Sequence, residues 1–272
     1  MLGRRVIFGV LGLAVLGVLC LRPHWRLSVS PSTQRVFDTI AALDSGAVVM
    51  ISFDHEAASL PEVGPLGEAI VNHCLRRGVA VIGLALFSEG TAVGYELLAH
   101  RATALGRREG IDWLYLGYRP QYTAAILGMG ENIREVFATD YAGRPIDATP
   151  LGHRVHNYSD VALVVSIADG SMATYWVEYA GVRYHARIVA ALSAVMVTSY
   201  IPYLEAGQLA GLVAGFRGAA EYEQLLEQPG AGSRGMAAQT VAHALVAVLV
   251  VIGNIEAWSL RRRRRTVAGN HG

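Results

Sequence analysis

The stretch "AVVMISF", residues Ala47–Phe53, decides the fold class of this chain. It is an unbroken apolar run of strand-forming residues, with Ser45-Gly46 before it and Asp54 after it. A strand without polar alternation is typical of a parallel sheet that is covered on both faces. A helix-like stretch and a second apolar run, Val79–Phe87, follow directly. The order strand, helix, strand predicts a right-handed parallel crossover.

The same alternation continues along the chain. Further apolar runs occur in "DWLYLGY", "DVALVVSI", "RIVAALSAVM" and "GQLAGLVAG", and helical stretches separate them. We therefore predict an α/β domain with a doubly wound, mostly parallel sheet, Rossmann-like or flavodoxin-like in strand order. Residues 137–159 interrupt the pattern with Gly, Pro and Asp, which predicts an irregular excursion beside the sheet or, alternatively, a linker between two half-domains. The Gly-rich stretch after Pro229 favours a flexible joint.

Two apolar segments flank the predicted domain. Val6–Leu21 has sixteen residues without a charge, which as a helix cover about 24 Å of a hydrocarbon core about 30 Å thick. We interpret it as an uncleaved membrane anchor, with a cleaved signal peptide as the alternative. Thr240–Trp258 has nineteen residues and is closer to a complete span. The sequence thus predicts an N-terminal and a C-terminal transmembrane helix.

Arginine placement orients these two helices. The positive-inside rule assigns the arginine-rich ends to the cytoplasm, and tryptophans favour the two interfaces. The residues that carry this prediction are Arg4, Arg5, Trp25, Trp258, Arg261, Arg262, Arg263, Arg264 and Arg265. We predict a cell (inner) membrane protein with cytoplasmic termini: residues 1–25 with helix 1, an extracytoplasmic domain at 26–236, helix 2 at 237–259 and a tail at 260–272. The lipid bilayer is the first predicted partner, with anionic headgroups at the arginine tail.

Composition excludes several classes of chemistry. The chain has 272 residues, 53% of them hydrophobic, and a mean hydropathy of +0.35. Between residues 24 and 236 it has 15 arginines and 21 carboxylates, a formal charge of about −6, which argues against nucleic-acid binding. All 23 basic residues are arginine, so lysine-dependent pyridoxal-phosphate and Walker-type phosphate chemistry is excluded. Two cysteines without zinc spacing add no metal motif, and we predict no cofactor.

Polar residues at the carboxyl ends of the predicted strands are the candidate ligand-binding residues, because open parallel sheets bind ligands there. They are Asp54, Glu56, Ser88, Glu89, Arg119, Asp169 and Ser171. The carboxylates could bind a metal or act as acid and base, and Arg119 could bind an anion. Each has a structural alternative: a solvated turn for Asp54 and Glu56, a helix cap for Ser171, and a surface ion pair for Arg119.

No complete catalytic motif accompanies these residues. The chain has no Gly-x-Ser-x-Gly elbow, and neither "ILGMGENIRE" nor "GLVAGFRGAAEYE" gives Gly-x-Gly-x-x-Gly between a strand and a helix. Our first hypothesis is therefore a non-catalytic subunit or scaffold of a membrane protein assembly, which is a homo- or hetero-oligomer. The alternative is a membrane-anchored hydrolase, or a small-ligand-binding sensor, with its site at the strand ends. For that alternative the candidate side chains should lie within about 10 Å of one another.

Overall fold

The computed structural model describes residues 4–21 and 26–268, with side chains at 6–21, 26–255, 257 and 258. Trp25 therefore lies outside the described residues, as do the side chains of Arg4, Arg5 and Arg261–Arg265. The chain divides into two compact units. One comprises residues 26–233 and the other residues 1–25 with 234–272.

The unit of residues 26–233 is an α/β domain built on one six-stranded parallel sheet. Its strands are β1 (Val48–Asp54), β2 (Ala80–Ala85), β3 (Trp113–Tyr118), β4 (Leu163–Ala168), β5 (Ile188–Leu192) and β6 (Gly211–Ala214). Each coincides with an apolar run of the sequence, so the prediction of a parallel sheet is confirmed. The strand order is β3-β2-β1-β4-β5-β6, and every neighbouring pair is parallel. Of the two predicted orders, this is the Rossmann one.

Helices cover both faces of the sheet. The helices of the domain are α2 (Pro31–Ala41), α3 (Leu60–Arg76), α4 (Gly90–Ala104), α5 (Tyr122–Glu131), α6 (Ile133–Val136), α7 (Pro150–Arg154), α8 (Met172–Tyr175), which continues as a π-helix (Trp176–Val182), α9 (Val197–Glu205) and α10 (Gly215–Leu225). Alternate strand residues enter different cores: Ile51 and Phe53 pack with α3, whereas Met50 packs with the π-helix side. Burial on both faces explains why the strands are apolar throughout.

Residues 137–159 form the predicted excursion, and they protect one edge of the sheet. The Tyr141 N–H donates to the Tyr115 carbonyl of edge strand β3 at 2.8 Å. Because β4, which follows the excursion, pairs with β1, the segment also connects the two three-strand halves of one continuous sheet. This bond occupies one backbone carbonyl of an edge strand that could otherwise pair with another chain.

Helix α10 holds the incoming and outgoing segments of the domain. Buried Glu221 accepts hydrogen bonds from Ser30 N–H at 3.1 Å and Ser30 Oγ at 2.6 Å. Gln224 donates to the Leu27 carbonyl at 2.9 Å and accepts from the Leu27 N–H at 2.8 Å. The outgoing segment also binds α10, through Glu223, so this one helix holds both ends of the domain.

The outgoing segment differs from the flexible joint that its glycines predict. Helix α11 (Ala231–Ala268) begins inside this segment. Buried Glu223 accepts from the N–H groups of Gly230 at 2.8 Å, Gly232 at 2.7 Å and Ser233 at 2.8 Å. A carboxylate there satisfies helix N–H groups that have no partner within the helix and opposes the positive end of its dipole. The junction is therefore a capped helix start.

The second unit contains α1 (Arg4–Leu21) and the remainder of α11. In the described residues only one helix is long and apolar enough to cross a membrane, over Ala231–Ile255. The apolar part of α1, Val6–Leu21, is shorter than a span requires. The prediction of two transmembrane helices is thus corrected to one candidate, because sixteen residues do not cover the hydrocarbon core.

Candidate functional site

The candidate site lies at the carboxyl edge of the sheet, where the strand order reverses between β1 and β4. In a Rossmann fold the ligand binds at this switch point, on a Gly-rich turn and the N-terminus of the first crossover helix. Here β1 ends at Asp54, His55 and Glu56 follow in the loop, and α3 begins at Leu60. The loop between them has side chains in place of the glycines that let a pyrophosphate approach.

Three carboxylates bind backbone N–H groups at this edge. Asp169 Oδ2 accepts from the Glu56 N–H at 2.8 Å, and Glu89 Oε2 accepts from the Ala57 N–H at 2.9 Å. These bonds tie the loop after β1 to the loops after β4 and β2. A third carboxylate, Glu62 on α3, accepts from the Ala194 N–H at 2.8 Å, in the loop after β5. Three backbone N–H groups of these loops are thus bound by carboxylates of the chain itself.

Asp54 lies beneath this loop and is 1% exposed. Its Oδ1 accepts from the Leu86 N–H at 2.7 Å, and its Oδ2 accepts from Trp176 Nε1–H at 3.2 Å. Burial raises the pKa of the Asp54 carboxyl, and the nearby Ser52 hydroxyl, the Leu86 N–H and Trp176 oppose part of that rise. The carboxylate therefore joins β1, the end of β2 and the start of the π-helix through one side chain.

Two buried hydroxyls lie on the same face of the sheet as Asp54. Ser52 of β1 and Ser166 of β4 are register partners, and both are fully buried. Among the described residues Ser166 Oγ has no hydrogen-bond partner, and Ser52 Oγ lies near enough to Asp54 to lower the pKa of that carboxyl but lacks a hydrogen bond of normal geometry. A buried hydroxyl without a partner costs stability, so this pair marks a polar defect in an otherwise apolar core.

The predicted residues separate into two groups. The structure brings Glu56, Glu89 and Asp169 around one loop, with Asp54 below it. Arg119 is elsewhere: its guanidinium stacks over the Phe137 ring at 5.0 Å. Among the described residues no ion pair or hydrogen bond joins the Arg119 side chain to these carboxylates.

The two predicted serines lie at the exposed surface. Ser88 follows β2. Ser171 occupies the N-cap position of α8, but within the described chain its side chain makes no capping hydrogen bond. The Ser171 carbonyl accepts from the Thr174 N–H at 3.0 Å instead.

Sequence reasoning missed four residues of this region: Ser52, Glu62, Ser166 and Trp176. For the serines a signal exists, because each is the one polar residue inside an aliphatic strand run, "VVMISF" and "LVVSIA". Their pairing depends on β1 lying beside β4, which spacing along the chain does not reveal. Glu62 and Trp176 lie on helices, where nothing in the sequence distinguishes them from surface and core residues.

The loop after β1 is held in place by the carboxylates described above. At the start of α4, Gly90 lies so close to β1 that a Cβ on it would be 1.9 Å from the Phe53 carbonyl oxygen. This glycine therefore allows α4 to pack against β1. Among the described residues no group of three His, Cys, Asp or Glu side chains could hold a metal ion. No family model, curated protein or solved structure matches this chain. The fold class therefore rests on topology, and the function on the site alone.

Proposed function

We propose that this chain is a non-catalytic, membrane-anchored α/β subunit or scaffold of a membrane protein assembly. The observation that carries the proposal is the occupied carboxyl edge, where Asp169, Glu89 and Glu62 bind the N–H groups of the connecting loops. Carboxylates that bond the connecting loops to one another at this edge support a structural role for it.

Anchoring is assigned to α11. Its apolar part carries polar groups that bond within the helix: Thr240 Oγ1 donates to the Met236 carbonyl and Asn254 Nδ2 to the Val250 carbonyl, both at 2.8 Å. In lipid such groups need internal partners. The arginines of the tail, Arg261–Arg265, place the C-terminus in the cytoplasm and the domain outside it. With one span, we assign Val6–Leu21 the role of export signal, the alternative that the sequence left open.

The attachment of the domain supports a scaffold role. Glu221 and Gln224 hold the incoming segment at Leu27 and Ser30, and Glu223 holds the start of α11. Both ends of the domain are thus fixed by hydrogen bonds to one helix, as expected for a domain with a structural role.

Photo-crosslinking in native membranes tests the proposal. The chain has no lysine, so a photoreactive amino acid replaces exposed Val195 or Val182, which are 83% and 59% exposed. We expect irradiation to produce discrete adducts heavier than the 29.1 kDa chain from at least one position. A photoreactive residue in place of buried Met50 is the matched control. If irradiation yields nothing but unmodified chain at both exposed positions, the proposal is contradicted.

A second candidate function is a hydrolase or small-ligand-binding site at the same edge. The raised pKa of buried Asp54 favours it, because perturbed carboxyl groups cluster at functional sites. A panel of activated esters and phosphoesters offered to the full chain separates the two proposals. Turnover that disappears in Asp54→Asn and persists in Ser88→Ala would favour the enzyme; equal, background rates in all three proteins would favour the scaffold.

A further inference from the structure

An open groove of about 700 Å³ lies between α3 and α4, and it begins at the first turns of both helices, next to the loops of the candidate site. Its apolar walls are formed mainly by Leu60 and Pro61 of α3 and by Ala92, Val93 and Leu97 of α4. The volume falls within the range of small-molecule sites, roughly 300–1,000 Å³.

Helix α4 is apolar on two sides. Its inner side, with Gly94 and Leu98, is buried against the sheet, and Gly94 lies against the Phe53 ring. The outer side would be polar in a helix that faces only water. Instead, Ala92, Val93 and Leu97 line the groove there. Leu97 packs partly against the core, whereas Pro61 and Ala92 are exposed, so the described residues of the domain cover this apolar surface only in part.

Polarity changes along the groove. Helices α3 and α4 both return from the carboxyl ends of parallel strands, so they run in the same direction. Their N-terminal halves contribute the apolar residues, and their later turns contribute His100 and the ion pair between Arg101 and Glu68. One end therefore suits a hydrocarbon chain and the other a polar head.

The polar end is also the end at which α11 begins. Ala231, the first residue of α11, lines the groove, and its neighbour Gly230 lies with Glu68 and Arg101 in a smaller adjoining pocket. Ala231 is also the first residue of the candidate membrane span. Only nine residues of sequence separate the groove residue Ala231 from Thr240, where the apolar run of the proposed anchor starts.

We propose that the groove between α3 and α4 binds the hydrocarbon chain of a membrane lipid, with its polar head at His100, Arg101 and Glu68. Glu96 on the rim and the pairing of Arg101 with Glu68 leave little net positive charge, so a zwitterionic head suits the site better than an anionic one. The inference rests on the membrane-anchoring part of the proposed function and adds a ligand class to it.

Photoactivatable phosphatidylcholine, with a diazirine in its acyl chain, is the probe. The full chain is reconstituted in vesicles of that lipid, irradiated and mapped by peptide mass spectrometry. We expect labels at residues 60–65 and 92–97 in addition to labels in Thr240–Trp258. Val93→Glu should reduce groove labelling at least fivefold, because a carboxylate in an apolar groove loses its hydration.

Two further variants complete the design. Ala92→Trp fills the groove without adding charge and should produce the same loss, whereas Val195→Glu, at an 83% exposed position, should leave labelling unchanged. Labels in Thr240–Trp258 without labels in the groove overturn the inference and leave the anchor intact. A groove label that neither groove variant reduces overturns it as well. Absence of labels from Thr240–Trp258 contradicts the membrane anchor itself.

Discussion

Single residues connect the elements of this domain through buried polar contacts. Asp54 joins β1 to the loop after β2 and to the π-helix. His73 of α3 contacts the Tyr222 hydroxyl of α10 at 2.8 Å through Nδ1 and stacks on Phe37 of α2 at 4.5 Å. Both are buried ionisable groups, and burial shifts their pKa values in opposite directions, since it disfavours the charged form of each.

These shifts predict opposite changes in the pH dependence of stability. Folding raises the pKa of Asp54 above 3.8, so the folded chain retains that proton and stability falls as pH rises above 3.8. Burial lowers the pKa of His73 from 6.5 to about 4, so stability is lost as pH falls from 6.5 toward 4. Asp54→Asn should steepen the rise of stability with pH between 4 and 6.5, and His73→Phe should flatten it. Denaturant unfolding in detergent across that range measures the slope of unfolding free energy against pH for each variant. If both variants have the same slope as the wild type, the pKa shifts assigned to Asp54 and His73 are refuted.

At the scale of elements, strand positions were predictable and the connections between them were not. The unbroken apolar runs, such as Ala47–Phe53, predicted all six strands, because a strand buried on both faces needs no polar alternation. Helix α2 was missed although Ser30 accepts from the Thr33 N–H and Pro31 follows as the first helical residue. The glycines after Pro229 predicted a flexible joint. That prediction failed because the Glu223 carboxylate, several residues earlier in the chain, accepts hydrogen bonds from their N–H groups.

The candidate site was predictable only in part, for the same reason. Its position at the strand ends follows from the parallel sheet, and Glu56, Glu89 and Asp169 do meet there. The role of Glu89 and Asp169 as acceptors for N–H groups of the loop that carries Glu56 depends on loop geometry. Arg119 was grouped with them by its position after a strand, but its stacking on Phe137 depends on the excursion, whose path has no periodic signal.

The cap at the start of α11 gives a prediction at this scale. Glu223→Gln removes the charge that opposes the helix dipole and leaves fewer acceptors for Gly230, Gly232 and Ser233, so it should destabilise the junction by about 1–3 kcal/mol. Hydrogen exchange of residues 230–233 measures this as faster amide exchange. The control is Glu227→Gln, at an exposed position four residues away, which should exchange like the wild type. Equal exchange in both variants would show that the cap contributes nothing.

At the scale of the whole molecule, the chain forms two units, the α/β domain and a helical unit. The chain passes from one to the other at residues 233 and 234. The domain carries a closed carboxyl edge and two anchored ends. The second unit carries the candidate span. The function we propose needs both, because a scaffold must hold its partners and remain at the membrane.

A charge inside α11 tests the anchor. Val248 lies near the middle of Thr240–Trp258 and is 53% exposed, so Val248→Arg places a guanidinium at the centre of the span. The cost is about 2.5–3.5 kcal/mol on insertion scales. We expect a fall in the fraction of chain that resists alkaline carbonate extraction. Val195→Arg, on the domain, should remain fully in the membrane pellet, and an unchanged pellet for Val248→Arg would argue against a span here.

The mass of the particle extracted from native membranes tests the central claim most directly. Chain produced at its natural level, taken up in lipid nanodiscs without crosslinking and weighed by native mass spectrometry, should appear in a discrete complex heavier than the 29.1 kDa chain. That complex contains further copies of the chain or other membrane proteins in fixed ratio. A particle that holds one copy of the chain and lipid alone would contradict the assignment as a subunit or scaffold.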